Sequence, residues 1–172
     1  YNTSSTITFI PAGVFFTSGA TGVNIVNNTI VMGAQLGSGS NFSSFGVNAS
    51  VNGVRIAKFL NNNIVNNHSS TFAYGLYCSA TLNISGGTIN NNNYYVPNTG
   101  HVGYYNGANR TALSDWQTTT SKDANSYSVN PSFVSATDLH LNTTGNSNFE
   151  STGAVVGTSG VSDDYDGQTR PG

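Results

Sequence analysis

The chain has 172 residues and a formal net charge of −2, and only 7% of its residues are charged, against roughly 25% in an average globular domain. Its 5 basic residues are scattered along the sequence, which argues against the clustered positive charge of a nucleic-acid-binding surface. No apolar run approaches the roughly 18 residues of a membrane-spanning helix, so no membrane insertion is expected.

Uncharged polar residues supply the surface instead, with 25 asparagines, 20 glycines, and 42 serines and threonines together. This composition is typical of an exported protein, and we expect a secreted, extracellular or cell-surface location. Because the sequence starts at Tyr1 without a signal-like segment, we also expect a fragment of a longer chain. The single cysteine, Cys78, lies in an alternating apolar row and is expected to be buried.

Short strands are predicted wherever apolar and polar residues alternate with a period of two. In chain order these segments are 6–9, 47–51, 54–56 and, as the longest, 76–85. Residues that favour helices are scarce in this sequence, so only one short helix is predicted, near 112–116.

A polar or glycine corner followed by isoleucine recurs between the strands, at 26–31, 60–65 and 85–90. Irregular repeats of this length, with short strands and tight corners, predict a β-solenoid. Asparagine suits such corners because it tolerates left-handed backbone geometry, and stacked asparagines can hydrogen-bond to one another between coils. The alternative is a β-sandwich, which also has many short strands and turns.

All aspartates and glutamates lie in the last third, and the first 114 residues contain none. Paired carboxylates or a carboxylate-bound metal carry most hydrolytic and lyase chemistry on sugars, so no catalytic residue is predicted. We divide the chain into Asn-rich coils at 1–108 and a C-terminal β-helix or capping region at 109–172. The boundary is soft, and we expect one continuous domain.

The last third contains five short segments in order: Asp-Trp-Gln at 115–117, Asp-Ala-Asn-Ser at 123–126, Asn-Pro-Ser-Phe-Val at 130–134, Asp-Leu-His-Leu at 138–141 and Asp-Tyr-Asp-Gly-Gln-Thr-Arg-Pro at 164–171. Over 109–172 this order resembles the choice-of-anchor Q domains of secreted bacterial proteins with a pectate-lyase-like fold. The resemblance implies an all-β, right-handed parallel β-helix with an irregular C-terminal capping region. It implies no fixed activity, because one fold hosts many functions.

Aromatic residues cluster from about residue 94 onwards, where the repeat pattern becomes irregular. Aromatic rings among amides and hydroxyls are what a sugar-binding surface uses, while the alternative is that these rings cap the end of the solenoid core. The candidate carbohydrate-binding residues are Tyr94, Tyr95, Tyr104, Tyr105 and Trp116.

Two further kinds of site are suggested by short motifs. Asp163, Asp164 and Asp166 adjoin a glycine turn and could hold Ca²⁺, although we favour a tight turn in which these carboxylates cap backbone amides. No other cofactor is predicted. Glycosylation sequons begin at eight asparagines, where about six are expected by chance from this composition. They are Asn2, Asn27, Asn41, Asn48, Asn67, Asn83, Asn109 and Asn142.

The sequence therefore predicts a non-catalytic structural or adhesive β-helix module, a building block of a cell-surface protein or extracellular filament. Its expected partners are other copies of itself, or neighbouring domains of its parent protein, stacked end to end, and also glycans. One alternative is a carbohydrate-binding module that uses exposed tyrosine and tryptophan. The last alternative is a polysaccharide lyase or hydrolase.

Overall fold

The computed structural model describes residues 11–34, 43–97, 99–142, 144–145, 152–156, 163 and 166–169. Within these ranges the chain forms eleven short strands and one α-helix, so the prediction of a chain made mostly of strands is confirmed. No helix in these ranges has the length and apolar character that crossing a membrane requires.

The strands form three sheets. Sheet A contains β1 (Ala12–Phe15), β4 (Ser44–Asn48), β7 (Ala73–Cys78), β10 (His101–Tyr105) and β11 (Ala108–Arg110). Sheet B contains β2 (Val23–Val26), β5 (Ile56–Leu60) and β8 (Thr88–Asn90). Sheet C contains β3 (Thr29–Met32), β6 (Asn63–Asn66) and β9 (Asn93–Tyr95).

Consecutive strands from β1 to β10 lie in different sheets, and each of β1 to β7 pairs in parallel with the strand three places further along the chain. Val47, for example, pairs with Val14 on one side and with Leu76 on the other. Sheet A is mixed because β11 returns antiparallel to β10. The connecting turn has positive φ at Asn106 (50°) and Gly107 (79°), as an Asn-Gly hairpin turn requires.

One apolar core lies between the three sheets. It contains Phe59 from sheet B, Ile64 and Tyr94 from sheet C, and Leu76 from sheet A, all fully buried. Helix α1 (Leu113–Thr120) confirms the predicted helix near 112–116 and adds Trp116 to the same core. Burial of these side chains is the main favourable term that holds the sheets together.

The packing of α1 against sheet A requires glycine at position 103. Gly103 is in register with Leu76 on the core side of sheet A, and a Cβ there would overlap the ring of Trp116. The indole thus occupies the space that a side chain of β10 would otherwise fill. Trp116, which belongs to the predicted region 109–172, therefore packs in the same core as the strands before it.

The predicted strand at 76–85 is only partly right, because β7 ends at Cys78 and Thr81–Asn83 form a 3-10 helix. Asn83 explains the change, since its Oδ1 accepts from the Ala80 N–H and its Nδ2 donates to the Val54 carbonyl. Leu82, which the alternation placed on the buried face, is 55% exposed. Cys78 is buried, as predicted.

The third corner was misplaced by the sequence analysis. Thr88–Asn90 form strand β8, and the residues in register with the corners at 26–31 and 60–65 are 90–95. Glycine and asparagine both make tight corners, so the motif at 85–90 matched a turn that precedes β8. The predicted strands at 47–51 and 54–56 overlap β4 and β5, and the predicted strand at 6–9 lies outside the described residues.

Candidate functional site

Each corner between sheets B and C starts with a left-handed asparagine. Asn27, Asn61 and Asn91 have φ of 57°, 57° and 55°, and each directly follows a strand of sheet B. Asparagine adopts this geometry more readily than most residues, so it turns the chain without glycine's entropic cost. The three side chains lie in a row, and Asn61 Nδ2 donates to Asn27 Oδ1 at 2.9 Å.

The next residue of each corner forms a ladder of amides, in which Asn62 and Asn92 are buried and Asn28 is exposed. Asn28 Nδ2 donates to Asn62 Oδ1 at 3.0 Å, and Asn62 Nδ2 donates to Asn92 Oδ1 at 3.1 Å. The same two oxygens accept the backbone N–H groups of Asn28 and Asn62. Asn62 Nδ2 also donates to the Ile25 carbonyl, and Asn92 Nδ2 to the Phe59 carbonyl. Each of these amides therefore links one repeat of three consecutive strands, or layer, to the next layer along the stack.

Asp123 ends this ladder inside the protein. Its Oδ1 accepts from Asn92 Nδ2 at 2.9 Å and from the Ser126 hydroxyl at 2.5 Å. Its Oδ2 accepts from the Trp116 indole N–H at 2.7 Å and the Tyr94 hydroxyl at 3.0 Å. Asp123 is 1% exposed, and among the described residues no cation forms an ion pair with it. Neutral donors alone therefore hold this carboxylate.

Burial raises the pKa of Asp123, and its four hydrogen bonds only partly oppose that change. The folded-state pKa thus exceeds the unfolded value of about 3.9, so the carboxyl's contribution to stability is fully present below about pH 4. This contribution is lost as the pH rises through the folded-state pKa. We expect the free energy of unfolding of the wild type, minus that of Asp123→Asn, to decrease from pH 4 to pH 8 in urea titrations. A difference that is constant or increases with pH would contradict this assignment.

A third ladder is incomplete. Asn93 Nδ2 donates to Asn63 Oδ1 at 2.9 Å, whereas the buried Nδ2 of Asn63 has no hydrogen-bond partner among the described residues. The position in register on the next strand is Thr29, whose shorter side chain does not supply the missing acceptor. Leaving a buried donor unpaired costs about 1–3 kcal/mol.

Thr29→Asn is therefore expected to raise the free energy of unfolding by about 1 kcal/mol, because its Oδ1 can accept from Asn63 Nδ2. Urea unfolding measures this gain, with Thr29→Val as the control that changes shape without adding an acceptor. No gain in Thr29→Asn over Thr29→Val would show that Asn63 finds another partner.

A groove of about 590 Å³ runs along the asparagine corners. The segment 152–156, which we call the strap, forms one side of this groove. Asn61 holds the strap through two hydrogen bonds of 2.8 Å, one to the N–H and one to the carbonyl of Ala154. Asn91 Nδ2 and Lys58 Nζ donate to the carbonyls of Thr152 and Val156, each at 2.7 Å. Two of the left-handed asparagines, Asn61 and Asn91, thus bind the backbone of the strap.

A kink in sheet A creates an aromatic face on the side away from the core. In β4 both Gly46 and Val47 face inwards, since Val47 is fully buried and a Cβ at Gly46 would overlap Ile64. The flanking residues Phe45 and Asn48 consequently both lie on the outer side. The pattern repeats in the strands that pair with β4, because register aligns these positions through β7 and β10.

The outer aromatic face consists of Phe45, Tyr74, Tyr77, His101 and Tyr104. The ring of Tyr77 lies parallel to that of Tyr104, with centroids 4.5 Å apart, and Phe45 stacks on Tyr74 at 5.6 Å. Burial, followed by the neighbouring phenols of Tyr77 and Tyr104, raises the pKa of Tyr74 to about 12. Phe45, Tyr74 and Tyr77 were missed by the sequence analysis, because a regular alternation would place Tyr74 and Tyr77 on opposite faces.

The five predicted sugar-binding residues are not brought together. Tyr94 and Trp116 are fully buried in the core, which removes them from any sugar-binding surface. Tyr105 packs edge-on against Trp116 with centroids 6.0 Å apart, in line with the alternative that these rings cap the core. Tyr95 is half-buried in β9, and Tyr104 alone belongs to the outer aromatic face.

The candidate Ca²⁺ residues are only partly described, since Asp164 lies outside the described residues. Asp163 forms a bridge with Thr169, and Asp166 Oδ2 lies 2.7 Å from His140 Nε2. Hydrogen bonds that the His140 ring donates to Asp138 and then to Asp166 raise the pKa of His140. In the described part of the chain, no group of three or more His, Cys, Asp or Glu residues is arranged to hold a metal ion.

The candidate glycosylation sites differ in accessibility. Asn48 and Asn83 are buried, and Asn27 belongs to the left-handed row. Asn109 and Asn142 are exposed, Asn67 is half-buried, and Asn2 and Asn41 lie outside the described residues.

Comparisons with protein-family models, with curated proteins and with solved structures find no match for the chain. The resemblance of 109–172 to choice-of-anchor Q domains therefore stays a prediction. Functional inference rests on the geometry of the chain's own residues.

Proposed function

We propose that the strands wind as a right-handed parallel β-helix, and that this β-helix is a non-catalytic structural or adhesive module of an extracellular filament or surface protein. The winding is supported by the parallel pairing of β1 to β7, each with the third strand after it, and by the rule that parallel crossovers are right-handed in about 98% of cases. The structural role is supported by a single observation above all. The buried side-chain amides of Asn62 and Asn92 make hydrogen bonds with all their polar atoms. The bonds that join successive layers stabilise the stack.

The two ends of this stack differ. At one end Tyr127 pairs with Asn93 in parallel, its N–H donates to the Asn92 carbonyl, and α1 covers the core. At the other end β1, β2 and β3 each have only one neighbouring strand among the described residues. An unpaired strand edge is a template for pairing with another chain. Assembly between copies, or with a neighbouring domain, would therefore use the β1–β3 end.

Edge pairing can be tested at Val31 in the centre of β3. The carbonyls of Asn28 and Met32 accept N–H groups on the β6 side, which leaves the N–H of Val31 directed away from β6. Val31→Pro removes this outward donor without breaking a bond to β6. We expect wild-type protein to form end-to-end assemblies in electron microscopy and light scattering, Val31→Pro to remain monomeric, and Val31→Thr to assemble. A wild type that is monomeric at all concentrations would contradict this proposal.

Carbohydrate recognition is the second candidate, favoured by the partly exposed rings of Tyr77 and Tyr104 on a face with few charges. Glycan-array binding that is lost in Tyr104→Ala and kept in Tyr95→Ala would favour it. Absence of binding to all glycans would leave the structural role alone.

A further inference from the structure

The hairpin at the edge of sheet A places a glycosylation sequon beside the outer aromatic face. Asn109, Arg110 and Thr111 form this sequon, and Asn109 is exposed in β11, the last strand of the sheet. Asn109 lies directly opposite Tyr104 in the antiparallel pair. We propose that Asn109 is an N-glycan acceptor and that its first sugar ring packs on Tyr104.

The carboxamide of Asn109 is oriented for modification. The Tyr74 hydroxyl donates to Asn109 Oδ1 at 3.0 Å, which fixes the oxygen towards the sheet. The described residues offer no hydrogen-bond partner to Nδ2, the atom that accepts the sugar, so it stays available on the solvent side. Thr111 is also exposed, and its hydroxyl lies 2.9 Å from His101 Nδ1. Both side chains that a sequon-reading transferase must contact are therefore accessible.

The aromatic stack continues towards this asparagine. Tyr77, Tyr104 and Asn109 occupy one register position on three adjacent strands. Tyr77 covers one face of the Tyr104 ring, at an interplanar angle of 7°. Strand β11 lies on the opposite side of β10 from the strand that carries Tyr77. Adjacent strands lie about 4.8 Å apart, so a sugar ring attached at position 109 would lie against the other face of the Tyr104 ring as the next layer. The C–H face of a pyranose is attracted to an aromatic ring, as other apolar edges are.

The other described sequons lack this combination. Asn83 is fully buried and uses both amide atoms in hydrogen bonds, so a glycan there would prevent folding. Asn48 is 5% exposed, and its Oδ1 accepts the Ser50 N–H. Asn67 and Asn142 are more accessible, yet neither lies in a strand opposite an aromatic ring.

The transfer requires an oligosaccharide donor linked to a polyprenyl diphosphate. The proposal of a glycan at Asn109 therefore rests on the extracellular role proposed above. A bond forms between Asn109 Nδ2 and the anomeric carbon, and the bond from that carbon to the diphosphate oxygen breaks. One amide proton passes to a transferase base, and the polyprenyl diphosphate leaves with the bonding electrons. No oxidation or reduction takes place.

The test is expression of the full chain through a eukaryotic secretory pathway, followed by glycopeptide mass spectrometry. We expect Asn109 to be occupied in most molecules, and both Asn109→Gln and Thr111→Ala to lose that one glycan. Glycosylated wild type should melt about 3 °C above wild type from bacterial cytoplasm, and Tyr104→Leu should lose most of this difference.

An unmodified Asn109 in secreted protein, with or without a glycan at Asn67 or Asn142, would overturn the proposal. A modified Asn109 whose thermal gain is unchanged in Tyr104→Leu would overturn the role of Tyr104. Neither result bears on assembly, because the Val31 variants measure that role independently.

Discussion

Asp123→Ala is expected to lower the free energy of unfolding by about 4 kcal/mol, because the substitution leaves several buried donors unpaired. The indole N–H of Trp116, the hydroxyl of Tyr94 and the amide of Asn92 all donate to this carboxylate and are fully buried. Each unpaired buried donor costs about 1–3 kcal/mol, and water entering the cavity recovers part of the loss. For a domain of this size the melting temperature should fall by about 12 °C.

Two variants control this experiment. Asp123→Asn keeps the shape but presents amide hydrogens to the Trp116 indole, which can only donate, so it should lose about 2 kcal/mol. Asp115→Ala removes a carboxylate from the surface of α1, where its ion pair with Arg110 spans 3.3 Å, and should lose less than about 1 kcal/mol. A loss below about 1 kcal/mol in Asp123→Ala would show that the ladder does not depend on its terminal carboxylate.

Asn62→Ala is expected to lower the free energy of unfolding by about 3 kcal/mol. Asn62 is the central member of the buried ladder, and its side chain bonds to Asn28, Asn92 and Ile25. Truncation leaves the Asn28 N–H and the Ile25 carbonyl without their partners and creates a cavity between two layers. Urea unfolding followed by circular dichroism measures this loss.

The ladder itself provides the matched control for Asn62. Asn28 occupies an outer position of the same ladder and is partly exposed, so water can replace its bonds. Asn28→Ala should therefore lose only about 1 kcal/mol. Equal losses at Asn28 and Asn62 would contradict a cost that arises from burial between layers.

The strand content, the corner asparagines and the buried Cys78 could be predicted from the sequence, because each depends on local pattern. The period of two indicates strands, and two of the three corners share the order of asparagines followed by isoleucine. The third corner was misplaced because 85–90 has a similar order of residue types, and only register shows that 90–95 is equivalent.

The candidate site could be predicted far less well. Asp123 belongs to one of the short segments on which the family resemblance rests. The residues next to it in the sequence do not show that Asn92, 31 residues earlier, binds it. The aromatic face depends on a kink that turns Gly46 and Val47 inwards together, which the period-two rule does not contain. Trp116 is buried and not part of a sugar-binding surface, which the sequence does not show because exposure cannot be read from residue type. Each of these features arises from contacts between distant segments.

Hydrogen exchange of side-chain amides tests most directly whether buried asparagines hold the layers together. In protein made without glycosylation, nuclear magnetic resonance resolves the Nδ2 hydrogens of Asn62, Asn92 and Asn109. The ladder predicts that those of Asn62 and Asn92 exchange more than about 100-fold more slowly than those of Asn109, because only opening of the stack exposes them. Exchange of all three at one rate would contradict the stacked amides and, with them, the structural role.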